Sequence, residues 1–159
     1  MPAKDICALP VKNIIDDDCA LFLWATDGHI PDALQVIESW GFRYITIAFI
    51  WSKKTITGKQ VATLGAWTMK NCEVCLLGTT GNMLKYKKSN NQYQLIEAVR
   101  TNHSVKPEKT RQRIEAIFPN LNRIELFARV KVDRWDAWGN EVDIDEDNVE
   151  AFCTLGASK

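Results

Sequence analysis

Apolar positions along the chain recur in two rhythms. Cys19-Ala20-Leu21-Phe22-Leu23-Trp24-Ala25-Thr26 is a short continuous apolar run, the pattern of a strand covered on both faces. Ala33, Val36, Ile37 and Trp40 then fall on one face of a helix that Pro31 suits in its first turn and Gly41 ends. Tyr44 to Trp51 is rich in β-branched and aromatic residues and predicts a second strand; Cys72 to Leu77 predicts a third, stopped by Gly78 and Gly81. A polar, basic stretch follows. Pro107 then opens a helix carrying Ile114, Ile117 and Phe118, and Arg123 to Ala128 predicts a fourth strand. Strands alternating with helices imply an α/β domain with a largely parallel sheet, in which Leu21–Ala25 and Ile124–Ala128 are expected as interior strands. No repeat, Pro-rich linker or low-complexity tract divides residues 1–159, so a single domain is expected.

Net charge is zero, but the charges are segregated. Between Arg43 and Arg113 lie thirteen Lys and Arg residues against three acids, while acids concentrate at Asp16-Asp17-Asp18 and in the tail 143–159. A parallel sheet binds its ligand beyond the carboxyl ends of its strands. The segments expected there carry Lys53, Lys54, Lys59, Lys85, Lys87, Lys88, Arg129, Lys131 and Arg134. This is a basic face suited to a polyanion, and nucleic acid is the expected partner.

Other chemistries find little support. There is no phosphate-binding loop of the Walker type, no GxGxxG, and no nucleophile elbow to partner His29 or His103. Five cysteines without a disulfide-like framework fit a reducing, intracellular setting. Cys72 and Cys75 form a CxxC, yet a strand turns them to opposite faces and no second ligand pair accompanies them, so no metal site is expected. No signal peptide and no membrane-length apolar run occur in the sequence, so no membrane association is expected.

Three stretches carry more specific information. Leu21-Phe22-Leu23-Trp24-Ala25-Thr26 precedes Glu38-Ser39-Trp40-Gly41-Phe42. Gly65-Ala66-Trp67-Thr68 leads into Glu73-Val74-Cys75-Leu76-Leu77-Gly78-Thr79. His103-Ser104-Val105-Lys106-Pro107-Glu108 precedes Ile124-Glu125-Leu126-Phe127-Ala128-Arg129 and then Trp135-Asp136-Ala137-Trp138-Gly139-Asn140-Glu141. In this order, from about Leu9 to Glu141, the chain resembles the adenine-N6 methyltransferase family named for the seventy-kilodalton subunit of the mRNA methylating enzyme, which includes bacterial and phage DNA-adenine members.

The resemblance implies a Rossmann-like methyltransferase fold with permuted motif order, using S-adenosylmethionine to methylate the N6 amine of adenine in nucleic acid, with DNA favoured and RNA left open. By that resemblance Lys106 would hold the cofactor's carboxylate and Arg129 would face the cofactor. Asn140 and Glu141 would meet the ribose and the adenine edge. Lys53, Lys54, Lys59, Lys85, Lys87 and Lys88 would face nucleic acid. The family extrudes its target base, since the amine cannot be reached inside a duplex. Trp51, Trp67 and Tyr86 are secondary candidates for stacking on it, with core packing the preferred reading of Trp51 and Trp67. Trp24, Trp40 and Phe127 read as core. A bacterial or phage protein of this kind would be cytoplasmic or nucleoid-associated.

One departure matters. The family carries an Asp-Pro-Pro-Trp upstream of the stretch matching Leu21–Thr26, and no segment here supplies it; Asp16-Asp17-Asp18 and Asp27-Gly28 lack the two prolines. The expectation is a fold lacking its N-terminal catalytic strand, inactive alone, either a fragment of a longer gene product or one whose sheet is completed by self-association, by a partner chain, or by bringing the strands at Leu21 and Ile124 together. The alternative is a non-catalytic nucleic-acid-binding or partner subunit of a methyltransferase complex.

Overall fold

The computed structural model describes residues 1–101 and 105–142; His103, Ser104 and the acidic tail 143–159 lie outside the described residues. The chain forms two compact units, residues 1–9 with 15–119 and residues 10–14 with 120–159.

The larger unit is built on a four-stranded sheet of order β1-β3-β2-β4, comprising β1 (Cys19–Ala25), β2 (Arg43–Lys54), β3 (Cys72–Thr80) and β4 (Leu95–Val99). β3 pairs antiparallel with both β1 and β2, whereas β2 pairs parallel with β4. The sheet is therefore mixed, not largely parallel. β1, β2 and β4 share one direction and β3 alone is reversed. The expected interior position of β1 is corrected too, since it is an outer strand of this sheet. The cause is the connection between β2 and β3. Residues 55–71 contain no helix, and without a crossover helix the chain returns as a hairpin.

Helix α2 (Ile30–Ser39) follows β1 with Pro in its first turn, and α1 (Ala3–Cys7) packs against it. Ala33, Val36, Ile37 and Trp40 are buried, as their spacing requires. The Trp40 indole N–H donates to the Ile6 carbonyl at 2.9 Å, so the one polar atom of this buried ring is satisfied. Gly41 closes the helix at φ 86°, a left-handed position that glycine adopts without strain. The helix sits close on the sheet. A Cβ at Gly78 would lie 3.1 Å from a methyl of Ile37, so a larger residue there would make the helix give by a few tenths of an ångström. Helix α3 (Glu108–Ile117) begins after Pro107 and buries Thr110 and Ile114.

The smaller unit contains β5 (Ile124–Leu126) paired parallel with β6 (Asp136–Trp138) in a sheet of their own. The expected strand Ile124–Ala128 is thus shorter than predicted and is not interior to the four-stranded sheet. Phe127 adopts φ 60°, which ends the extended run. Ala128 and Gly139 pack backbone on backbone, where a Cβ at Gly139 would come within 2.2 Å of the Ala128 carbonyl oxygen.

Candidate functional site

Strand polarity decides which segments gather. β1, β2 and β4 end at one edge of the sheet, and β3 starts there. Segment 26–29, segment 55–71 and residues 100–101 after β4 therefore leave from a common edge. The segment after β3 leaves from the opposite edge.

At the common edge a carboxylate is held between two ammoniums. Glu73, the second residue of β3, is buried and accepts from Lys53 Nζ of β2 at 2.6 Å through Oε1, and from Lys106 Nζ through Oε2. Burial alone would push the Glu73 carboxyl up; hydrogen bonds from Lys106 and Lys53, with their charges, outweigh it and hold the group below its ordinary value. Aromatic rings wall the cluster. The Lys106 ammonium lies 5.7 Å from the centre of the Trp24 ring and Lys53 5.2 Å from that of Trp51, and the two indoles meet edge-on at 6.5 Å. Trp51 is itself core, and its N–H donates to the Ala98 carbonyl at 3.0 Å.

Lys106 thus sits at a strand-end edge, held in place by one carboxylate, and carries one net positive charge for the trio Glu73, Lys53 and Lys106. An ammonium has three N–H donors, and a single carboxylate oxygen takes one of them here. That donor set fits a ligand carboxylate, which is what the resemblance asks of Lys106. Glu73 escaped the sequence reading, although a signal was present. It is the sole acid between Glu38 and Glu97.

The smaller unit brings together Arg129 and Glu141, whose guanidinium and carboxylate lie 3.6 Å apart, with Asn140 next in sequence and exposed. Their mixture of donors and acceptors suits hydroxyls and an exocyclic amine. Phe127 is exposed, not core, and its ring meets Trp138 edge-on at 5.4 Å.

The basic residues divide between the two edges. Lys53 and Lys54 are the last residues of β2 and not part of a following loop, and each is ion-paired, Lys53 to Glu73 and Lys54 to Glu97 at 2.8 Å. Lys59 is exposed in the connecting segment. Lys85, Lys87 and Lys88 follow β3 and so lie at the opposite edge; the expected gathering of all six lysines is corrected by the reversal of β3. Lys85 there bonds Asp18 at 2.5 Å, and the Tyr86 hydroxyl donates to the same carboxylate at 3.2 Å. Hydrogen bonds from Lys85 and from the Asn82 amide hold the Asp18 carboxyl below its usual range. This clasp fixes the turn after β3 to the start of β1.

Comparison with known proteins supplies the deciding observation: the MT-A70 family profile matches residues 1–141. The chain belongs to the MT-A70 family. Among its relatives, the Type II methyltransferase M.MunI of Mycoplasma sp is 37% identical over 139 residues, covering 87% of this chain and 57% of the relative. The N(6)-adenosine-methyltransferase catalytic subunit METTL3 of Homo sapiens is 29% identical over 147 residues, 87% of this chain and 25% of the relative. A probable N(6)-adenosine-methyltransferase MT-A70-like protein of Oryza sativa subsp. japonica is 28% identical over 132 residues, 80% of this chain and 18% of the relative. The chain therefore spans between 18% and 57% of the length of these relatives. No helix among the described residues is long and apolar enough to cross a membrane.

Proposed function

We propose that this chain is the S-adenosylmethionine-binding and nucleic-acid-facing portion of an adenine-N6 methyltransferase acting on DNA. The observation that carries the reading is Lys106. Within a chain of the MT-A70 family, its ammonium is held by Glu73 at the edge where β1, β2 and β4 end. By the family resemblance, Lys106 would take the cofactor's carboxylate, Arg129 would face the cofactor, and Asn140 and Glu141 would meet its ribose and adenine edge. Bound there, S-adenosylmethionine would supply the methyl group. Lys53, Lys54 and Lys59 would face nucleic acid, as expected. Lys85, Lys87 and Lys88, at the other edge, would serve a surface of their own. DNA is the favoured polymer, in keeping with the bacterial and phage members that the sequence resembles and with the 37% identity to a type II methyltransferase.

The reading includes inactivity of the 159-residue chain alone, because no segment of it offers the Asp-Pro-Pro-Trp carboxylate and backbone. The same observation favours the second reading, a non-catalytic nucleic-acid-binding or partner subunit. Calorimetric titration with S-adenosylmethionine separates the two. Saturable binding at one site per chain is the outcome the first reading requires, and heats indistinguishable from dilution would leave only the second.

A further inference from the structure

Between β2 and β3 the chain builds a finger that packs against little. A tight turn at its base is closed by Thr55 N–H to the Lys59 carbonyl at 2.8 Å and Gly58 N–H to the Thr55 carbonyl at 2.9 Å. The return strand runs beside the end of β2, with Val61 N–H bonding the Lys53 carbonyl at 2.9 Å. Thr63 and Lys70 then exchange two backbone hydrogen bonds, of 3.0 and 2.7 Å, and clasp a six-residue loop, 64–69. Gly65 makes that loop feasible, since a Cβ there would come within 2.5 Å of the Thr68 carbonyl oxygen. The Lys70 ammonium pairs with Asp27, tying the finger to the segment that follows β1.

The loop presents what a core would normally hide. Trp67 is 95% exposed, Leu64 85% and, at the base of the finger, Ile56 90%. The sequence favours core packing for both Trp51 and Trp67; the structure buries Trp51 in the sheet but leaves Trp67 in solvent. Tyr86, the remaining stacking candidate, leaves from the opposite edge with its hydroxyl on Asp18. Charge narrows the choice of partner. From Lys53 to Lys70 there are four lysines and no acid, and Lys59 makes no ion pair with a carboxylate among the described residues. An exposed indole on a backbone-clasped loop, in an acid-free segment that also carries the exposed Lys59, has the two elements of a single-strand platform, a flat face for a base and a charge for the backbone.

We propose that the finger 55–70 is a nucleic-acid contact in which Trp67 stacks on an unpaired base and Lys59 takes an adjacent phosphate. The inference rests on the proposed function for its placement, since the finger rises from the edge that carries Lys106, but its chemistry is independent of the cofactor. Trp67 has no packing role, so its replacement leaves the fold intact.

The test is anisotropy titration of a fluorescein-labelled, adenine-containing single-stranded oligodeoxynucleotide with the 159-residue chain, at several salt concentrations. Trp67→Ala is expected to weaken binding about tenfold or more, by the loss of one base–aromatic stack. Trp67→Phe keeps a face and retains most of the affinity. Lys59→Ala reduces the log–log salt slope by about 0.7, the value for one phosphate contact on a single strand. Equal affinity for wild type and Trp67→Ala overturns the proposal, as does an absence of oligonucleotide binding by the wild-type chain. Light scattering in which wild type associates and Trp67→Ala is monomeric would assign the finger to a protein interface instead, and also overturns it. Calorimetry with S-adenosylmethionine on the same samples keeps the two readings apart. Cofactor binding without a Trp67 effect sinks the finger alone, and a Trp67 effect without cofactor binding sinks the proposed function alone.

Discussion

Glu73 accepts hydrogen bonds from Lys53 and Lys106, which stand 53 residues apart in the chain, so one carboxylate ties the end of β2 to the approach to α3. Replacing it with Gln leaves two partly buried ammoniums facing an amide, and should cost about 1–3 kcal/mol of stability, measurable by urea unfolding. The pH dependence has a definite sign. The folded-state value lies below the ordinary 4.5, so the contribution is complete above that pH and is lost as pH falls through the lower folded value. Wild type should lose its advantage over Glu73→Gln across that acid window, and a constant difference between them down to the acid limit would contradict the assignment. The two thiols of the CxxC test the strand register at the same scale. Cys72 is exposed, whereas burial pushes the Cys75 thiol up to about 12. Alkylation of the native protein at neutral pH should label Cys72 and spare Cys75, as mass spectrometry of the peptides would show.

At the scale of elements, β1, β2, β3 and both long helices were legible because each carries its own periodicity. β4 was not. Leu95 to Val99 is five residues of alternating burial set among polar neighbours, too short for its rhythm to stand out. The reversal of β3 was legible in principle, since residues 55–71 hold two glycines and no 3.6-residue pattern, and a parallel crossover needs a helix-length connection. Reading the sheet as parallel placed Lys85, Lys87 and Lys88 beside Lys53, when β3 carries them to the far edge. Exposure of single aromatics was not legible at all. Trp51 and Trp67 are the same residue type on either side of a turn, but Trp51 lies in β2 between two paired strands, whereas Trp67 lies in the loop closed by Thr63 and Lys70. That separation has a consequence for binding. Alanine at Lys85 or Lys88 should leave oligonucleotide affinity within about twofold of wild type, a shift below 0.5 kcal/mol, whereas Lys59→Ala lowers it. The reverse order in the same anisotropy assay would contradict the division of the basic residues between edges.

For the whole molecule, membership of the MT-A70 family and the cationic edge of the larger unit point to cofactor and nucleic-acid binding, while the sequence holds no carboxylate in the setting the chemistry requires. The purified 159-residue chain, supplied with S-adenosylmethionine and adenine-containing DNA, should form no N6-methyladenine detectable by mass spectrometry, and its formation would show that another group replaces the missing motif. The central claim is that the cofactor's carboxylate is received by Lys106, and calorimetric comparison of wild type with Lys106→Ala tests it most directly. Loss of one charge-assisted hydrogen bond is worth about 1.5–3 kcal/mol, so the variant should bind S-adenosylmethionine roughly tenfold to a hundredfold more weakly. Equal affinity in the two proteins would contradict the account.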